Sequence, residues 1–210
     1  FKDHQEDIQI ISLILIFICI FYFSNISNES ISHVFLAVIS SISTSGISTY
    51  SSSFDASLLF ILLTIIGGSL LSTSSGLKYV RFYIMLKISY QEIYKLVKPI
   101  NVFNRNLFRS QTLIGEEDAK ISFFVFISFL LGIFILTSIL TLDNISFENS
   151  FKLSILTLTN TTASSLFGLN NLIFFDMTNF TKLFLMIFMI FGRIELITIL
   201  FLIKKIIFKE

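Results

Sequence analysis

The chain has 210 residues and a formal net charge of +1; 54% of its residues are hydrophobic and only 14% are charged. Soluble domains usually carry about 25% charged residues, so this composition excludes an ordinary soluble domain and predicts a polytopic membrane protein. The small net charge gives no indication of nucleic-acid binding, and the single cysteine, Cys19, excludes a disulfide or a cysteine-based metal framework.

Four apolar stretches approach or exceed the roughly 20 residues that a helix needs to cross a bilayer. They are Ile8–Ser24, Ala56–Lys87, Ala119–Leu142 and Phe174–Phe208. The polar segment FKDHQED precedes the first stretch and no small-residue cleavage site follows it, so we predict no signal peptide. Because the chain begins with Phe, we expect it to be a piece of a longer protein.

Basic residues concentrate in one of the connections between these stretches. Eight of the 15 Lys and Arg residues lie between Lys78 and Lys120, whereas residues 24–54 and 143–179 together contain one, Lys152. Cytoplasmic connections are enriched in Lys and Arg. The pattern therefore predicts that both termini and the 78–120 connection are cytoplasmic, and that the other two connections face outward.

Two shorter apolar runs, Ile31–Ile42 and Phe147–Leu158, lie in the outward connections. Each is too short to span a bilayer and fits a re-entrant half-helix. An offset of 116 residues superposes the two runs and also places Gly76 on Gly192. The predicted fold class is therefore an all-α integral membrane protein with two repeats of span, re-entrant pore helix, filter loop and span.

Three passages resemble the Trk/Ktr-type potassium uptake pore subunits, the TrkH family. They are STSGIST at 43–49, IGGSLLSTSSGLKYVRFYIMLK at 66–87, and MIFMIFGRIELITILFLIKK at 186–205. Members of this family resemble four fused span–pore-helix–span units around one ion path. The resemblance implies that this chain is the C-terminal half, with a third-type unit at 1–98, a cytoplasmic connection at 99–118 and a fourth-type unit at 119–210.

The turn after the first half-helix is the predicted first part of an ion filter. A K⁺ ion must lose water to enter a narrow filter, and backbone carbonyls on a flexible turn replace the lost ligands. Gly46 suits such a turn because glycine adopts positive φ without a Cβ clash. The predicted filter residues here are Thr44, Ser45, Gly46 and Ile47.

The second filter segment departs from the family pattern, which resembles NxGPG. The offset puts Thr162 where Gly46 stands and Ala163 where the family has proline. Because Thr is β-branched and poorly suited to positive φ, either this carbonyl ring is distorted or Asn160 and the Thr hydroxyls contribute instead. The predicted filter residues are Asn160, Thr161, Thr162 and Ala163, and the predicted K⁺ ligands are the carbonyls of Ser45, Gly46, Thr161 and Thr162.

Ala56–Lys87 is long and has small polar residues near its centre. As one helix its 32 residues would extend about 48 Å, against a hydrocarbon core of roughly 30 Å. We predict a broken helix with a mid-membrane loop below the filter, which resembles a gate in the family; the alternative is a straight helix that packs through its small residues. The predicted gate residues of the loop are Gly67, Gly68, Ser72, Thr73, Ser74, Ser75 and Gly76.

Two basic residues complete the predicted gate. Arg193 lies inside the last apolar stretch, where a charge is costly and usually faces water or a partner. We predict that it meets the loop carbonyls, the alternative being an arginine that reaches the inner membrane surface. Lys78, at the cytoplasmic end of the loop, suits either role.

These observations predict gated K⁺ uptake, with K⁺ as the transported ion and no covalently bound cofactor. There is no nucleophile–base arrangement or nucleotide-binding motif that would indicate an enzyme. The resemblance implies a bacterial inner membrane protein that contacts lipid, requires the missing N-terminal half, forms a homodimer and binds a cytosolic nucleotide-binding regulator at surfaces such as Lys87–Arg109.

Three alternatives stay open. A pore that does not discriminate between Na⁺ and K⁺ fits the altered second filter segment. An ion-coupled secondary transporter would need a buried ionisable residue at its substrate site, and the spans offer few besides Arg193 and Glu195. A degenerate, non-conducting structural protein draws its support from Thr162 and Ala163.

Overall fold

The computed structural model describes residues 5–23, 31–47, 57–70, 72–97, 114–162, 167, 169 and 177–193. Within these residues the regular structure is helical, apart from one parallel bridge between Ile66 and Leu77. The seven helices are α1 (Gln5–Phe23), α2 (Ile31–Ile42), α3 (Ser57–Ile65), α4 (Tyr79–Val97), α5 (Glu116–Leu142), α6 (Phe147–Leu158) and α7 (Asn179–Arg193).

The predicted apolar stretches correspond to helices, with two differences. The second stretch is divided, because α3 ends at Ile65 and α4 begins at Tyr79. Helix α4 also continues ten residues beyond the predicted end at Lys87, since YQEIYKLV is amphipathic and buries Gln91 although it is no longer apolar. The fourth stretch is described only as far as Arg193, and the predicted span beyond it lies outside the described residues.

The core forms around α6, which packs against α3, α5 and α7, while α2 packs against α1 and α3. Leu153, Leu156 and Leu158 of α6 are fully buried. The hydroxyls of this helix are also satisfied: Thr157 Oγ1 donates to the Leu153 carbonyl at 2.6 Å, and Ser154 Oγ pairs with Thr137 Oγ1 of α5 at 2.8 Å. A helix with buried hydroxyls can therefore occupy the core without unsatisfied polar groups.

Large apolar side chains cover the outside of the molecule. Helices α1 and α5 are long and apolar enough to cross a membrane, and α1 buries only Phe21, whose ring stacks on Phe60 at 4.7 Å between centroids. Phe134 and Leu142 of α5 are 72% and 82% exposed. Extended apolar surface of this kind suits contact with lipid, and with the apolar helices it indicates a membrane protein.

Candidate functional site

The turn after α2 is closed by two backbone hydrogen bonds. The N–H of Thr44 donates to the Ser41 carbonyl at 3.3 Å, and the N–H of Ser45 donates to the Ser40 carbonyl at 3.1 Å. Thr44 has φ of 51°. These bonds around a left-handed residue are those of a Schellman motif, which ends a helix and satisfies its last carbonyls.

The turn after α6 has the same construction, 116 residues later. The N–H of Asn160 donates to the Thr157 carbonyl at 3.1 Å, and the N–H of Thr161 donates to the Leu156 carbonyl at 2.9 Å. Asn160 has φ of 57°. Each helix has 12 residues, so the two helix–turn segments are alike in length and in the hydrogen bonds that end them.

The two turns lie against one another at Gly46. Gly46 has positive φ, 68°, as expected, and a Cβ placed on it would lie 3.6 Å from the Cα of Thr161. Thr162, which the sequence offset aligns with Gly46, is not among the described non-glycine residues with positive φ. The second turn therefore avoids the strain that a β-branched residue would have there, and Ala163 lies outside the described residues.

Two predicted filter side chains are directed to protein partners. Asn160 Nδ2 donates to Ser75 Oγ and to the Met189 carbonyl, both at 3.0 Å. Thr161 is fully buried, and its hydroxyl pairs with Thr159 Oγ1 at 2.9 Å. These side-chain hydrogen bonds stabilise the turn. Because the side chains already have protein partners, the backbone carbonyls of the turn are the candidate ion ligands.

Residues 66–70 and 72–78 form a folded-back loop between α3 and α4. The N–H of Gly67 donates to the Leu77 carbonyl at 2.7 Å, and the N–H of Leu77 donates to the Ile65 carbonyl at 3.1 Å. The two ends of the loop are thus bonded to each other. Inside it, Ser74 Oγ accepts from the N–H of Gly68 at 2.9 Å and pairs with Ser72 Oγ at 2.6 Å.

Lys78 holds the loop from within. Its side chain is 6% exposed, and Nζ donates to the carbonyls of Ser72 at 2.6 Å and Ser74 at 2.9 Å. On the other side of the loop, the carboxylate of Glu6 accepts from the N–H of Leu70 at 2.8 Å. In this structure Lys78 is therefore a buried ligand of the loop carbonyls and not an exposed side chain.

Arg193 does not take the predicted position against the loop. It is the last residue of α7 and is exposed, and among the described residues its side chain makes no hydrogen bond to the loop. The preceding residue explains this placement: a Cβ on Gly192 would overlap the Leu158 carbonyl oxygen, so that face of α7 lies on α6. Arg193 is about 100° further around the helix.

The loop touches both turns through Ser75. The N–H of Ser75 donates to Thr44 Oγ1 at 3.0 Å, and its Oγ accepts from Asn160. A Cβ on Gly76 would lie 3.5 Å from Thr159 Cγ2. Predicted filter residues and predicted gate residues therefore meet in one cluster. The bond between the Thr44 hydroxyl and the Ser75 backbone was not indicated by the sequence.

No family model matches this sequence, and no curated protein matches it. Among solved structures, the crystal structure of the potassium transporter TrkH from Vibrio parahaemolyticus is similar, with a TM-score of 0.75 and 22% sequence identity. The match covers 91% of this chain and 42% of the transporter, so the chain spans about two fifths of that protein's length. At this identity the likeness shows the architecture: the chain has a TrkH-like fold.

Proposed function

We propose that this chain forms half of a gated pore for monovalent cations and that K⁺ is the ion taken up. The observation that carries the proposal is the meeting of two identically closed helix turns, at Gly46 and Thr161, above a loop that interrupts an apolar stretch. Irregular backbone at membrane depth is tolerated only where protein or a water-filled path surrounds it. The potassium transporter of the same fold supports the choice of ion.

In this proposal the two helix–turn segments are repeats of one pore unit. Helices α2 and α6 are re-entrant pore helices, residues 1–98 and 119–210 are the third-type and fourth-type units, and residues 99–118 connect them in the cytoplasm. The equal helix lengths and the shared 116-residue spacing of Thr44 and Asn160 support the repeat.

The proposed ion ligands are the backbone carbonyls of Ser45, Gly46, Thr161 and Thr162. The hydrogen bonds made by Asn160 and Thr161 support carbonyls over side chains, because the amide and the hydroxyl already have protein partners. Carbonyl ligands need no carboxylate at the ion. This arrangement favours K⁺ over the non-selective alternative only if both turns keep their closed geometry.

The proposed gate is the loop from Gly67 to Gly76, and Lys78 takes the holding role that the sequence suggested for either Lys78 or Arg193. Two short hydrogen bonds from Nζ fix the loop across the region below the turns. The positive charge of Lys78 also opposes a cation in the same place. Opening would require these bonds to break.

The rest of the pore is proposed to come from the part of the protein that precedes this chain. An apolar groove of about 330 Å³ runs along α2 beside the first turn and suits a further pore unit. The chain would lie in a bacterial inner membrane with both termini cytoplasmic, as a homodimer under the control of a cytosolic nucleotide-binding subunit. No covalently bound cofactor is proposed.

Ion uptake tests the proposal directly. The full-length protein that contains this chain, with its regulator, is expressed in cells that lack potassium uptake, and entry of radioactive rubidium and sodium is measured. Gly46→Asp places a side chain at positive φ and a carboxylate against Thr161. The matched control is Gly132→Ala on α5, where a Cβ would make an ordinary 3.5 Å contact with Leu158.

We expect rubidium uptake well above sodium uptake, loss of uptake in Gly46→Asp and retention in Gly132→Ala. Equal uptake of the two ions would replace the K⁺ filter by a non-selective pore. Uptake that requires a second ion gradient would favour a secondary transporter. Absence of uptake by well-folded protein would leave a non-conducting structural protein.

A further inference from the structure

Ser75 is the point where the loop and both turns are joined. It is 3% exposed, its N–H donates to Thr44 Oγ1, and its Oγ accepts from Asn160 Nδ2, each at 3.0 Å. The three residues come from segments that are 31 and 85 positions apart in the chain. One serine thus bonds to a side chain of each turn.

The two partners of Ser75 are equivalent residues. Thr44 and Asn160 are the left-handed residues of the two Schellman turns, with φ of 51° and 57°. Asn tolerates this conformation, whereas a β-branched Thr is a clear outlier in it. Strained residues of this kind persist only where surrounding contacts hold them, and they cluster at functional sites. For the Thr44 side chain the described hydrogen bond is the one from the N–H of Ser75.

The connection continues into α7. The second hydrogen of the Asn160 amide is donated to the Met189 carbonyl at 3.0 Å. Movement of Ser75 would therefore disturb both turns and the helix behind the second one. The other part of the loop is less enclosed, since Leu70 is 48% exposed and Thr73 is exposed.

We propose that Thr44, Ser75 and Asn160 form a clasp that fastens the Ser75 end of the loop to both turns and holds the geometry of the turns. This inference rests on the proposed pore for its meaning in transport. The three are positioning residues: they hold the turns so that their carbonyls face the ion path, and they fix the end of the loop at Ser75. Opening then moves the exposed part around Leu70 and Thr73, while the Ser75 end stays attached.

Thiol labelling of the loop tests the clasp without any transport measurement. In the full-length protein with Cys19→Ala, Ser74→Cys, at a buried position next to Ser75, is labelled with a water-soluble maleimide and the rate is followed. Thr44→Val removes the hydroxyl but keeps the β-branch, and Thr44→Ser keeps the hydroxyl. Asn160→Gly keeps the positive φ and removes both donated bonds, and its matched control is Asn144→Gly, at another left-handed asparagine with φ of 61°.

We expect Thr44→Val to label roughly two to ten times faster, the size that follows from losing one net hydrogen bond. Asn160→Gly loses two bonds and should be accelerated at least as much. Thr44→Ser and Asn144→Gly should label at the parent rate. In uptake assays the rubidium-to-sodium ratio should fall in Thr44→Val and in the Asn160 variant. The ratio should keep its parent value in Thr44→Ser and in the Asn144 variant. If Thr44→Val does not fold, Ser75→Ala replaces it, since that variant loses only the bond from Asn160.

The clasp would be overturned if Thr44→Val labelled at the same rate as Thr44→Ser and the Asn160 variant at the same rate as the Asn144 variant. It would also be overturned if variants that label faster kept the parent rubidium-to-sodium ratio. Failure of the pore itself gives a different result. The parent protein would then show no uptake, while the labelling rates would still decide whether Ser75 holds the loop.

Discussion

Gly67 and Gly76 are required by the backbone oxygens around them. A Cβ on Gly67 would lie 2.7 Å from the Ser75 carbonyl oxygen, and a Cβ on Gly76 would lie 2.9 Å from the Thr64 carbonyl oxygen. Gly76 also has φ of 84°. Backbone oxygens cannot move aside as a side chain can, so the fold-back of the loop depends on these two positions.

Gly76→Ala should lower the stability of the protein by about 1–3 kcal/mol, because it combines positive φ with a backbone clash. Gly132→Ala on α5 is the control, because its Cβ would make an ordinary 3.5 Å contact with Leu158. Thermal unfolding of the detergent-solubilised protein measures both. Equal losses would contradict the role given to the Thr64 carbonyl.

Lys78→Met keeps most of the side-chain volume and removes both bonds to the loop carbonyls. Leaving buried carbonyls unpaired costs about 1–3 kcal/mol, so we expect a looser loop and a higher basal rate of rubidium entry. The control is Lys95→Met on α4, where an exposed ion pair with Glu92 contributes little. A basal rate that stays at the parent value would remove Lys78 from the gate.

The glycine of the first turn was predictable from the sequence, but the role of Thr44 was not. Gly46 has the predicted positive φ, because glycine is the residue that favours it. Nothing local identifies Thr44, since Thr rarely adopts this conformation and its partner Ser75 is 31 residues away. The position of Arg193 was unpredictable for a similar reason. The contact of Gly192 with Leu158 decides which face of α7 packs against the rest of the protein, and that contact joins distant parts of the chain.

Among the helices, α7 approaches the end of α6 closely enough to exclude any side chain at Gly192. Its Cβ would overlap the Leu158 carbonyl oxygen and lie 2.7 Å from the Leu158 carbonyl carbon. Close approach of helix backbones at small residues is a common mode of packing in membranes. The position of α7 beside the second turn therefore depends on this glycine.

Gly192→Ala should push α7 away from α6, with a stability loss of about 1–3 kcal/mol from overpacking. In contrast, Gly132→Ala on α5 should be neutral or stabilising, because alanine is favoured over glycine in helices by about 1 kcal/mol and its Cβ has room. Parallel thermal unfolding of the two variants measures the difference. A Gly192→Ala protein as stable as Gly132→Ala would argue against the close contact.

Asp143 ties the connection after α5 to the start of α7. Its carboxylate accepts from the N–H of Thr178 at 3.0 Å and from Thr181 Oγ1 at 2.9 Å. The bond from the Thr178 backbone is the main cause that holds the pKa of Asp143 below its ordinary 3.8; the Thr181 and Thr178 hydroxyls and Lys182 add to it. A carboxylate with a lowered folded-state pKa stabilises the fold only while it is ionised.

The stabilisation from Asp143 should therefore be complete above the ordinary aspartate pKa and be lost as the pH falls through the lower folded-state value. We expect Asp143→Asn to be less stable than the parent at neutral pH and to show less further loss below about pH 4. Melting temperatures measured from pH 3 to pH 7 give the comparison, with Glu117→Gln as an exposed control. Parallel profiles for parent and Asp143→Asn would contradict the prediction.

The limits of the two short helices followed from their apolar runs, because polar connections flank 31–42 and 147–158 on both sides. The interruption between α3 and α4 followed from its glycines and serines. The extent of α4 did not, since hydropathy ends at Lys87 while the helical periodicity continues to Val97. Periodicity and hydropathy report different properties of a helix. A helix end predicted from hydropathy alone therefore comes too early when the helix continues as an amphipathic segment.

At the scale of the whole molecule, composition was sufficient to indicate a membrane protein, and three short passages were sufficient to suggest the fold. The individual hydrogen bonds that join the two turns to the loop could not be predicted, because they connect residues from both halves of the chain. Thr44, Ser75 and Asn160 illustrate this: each belongs to a different local pattern, and only their packing gives them a shared role.

The predicted orientation has its own test. In the Cys19→Ala background, Ser146→Cys at the start of α6 should react with an impermeant thiol reagent in intact cells, because its connection is predicted to face outward. Glu92→Cys on α4 should react only after permeabilisation. Both positions are exposed. The opposite pattern would invert the topology and place the basic 78–120 connection outside.

The bonds that join Ile65, Gly67 and Leu77 give the loop a property that concerns its length. Because its two ends are fastened to each other, added residues near Leu70 would enlarge the loop without needing to separate α3 from α4. Doubling a flexible loop costs only about 0.6 kcal/mol in closure entropy. The reach of this segment can therefore change by insertion or deletion while the helices on either side keep their places.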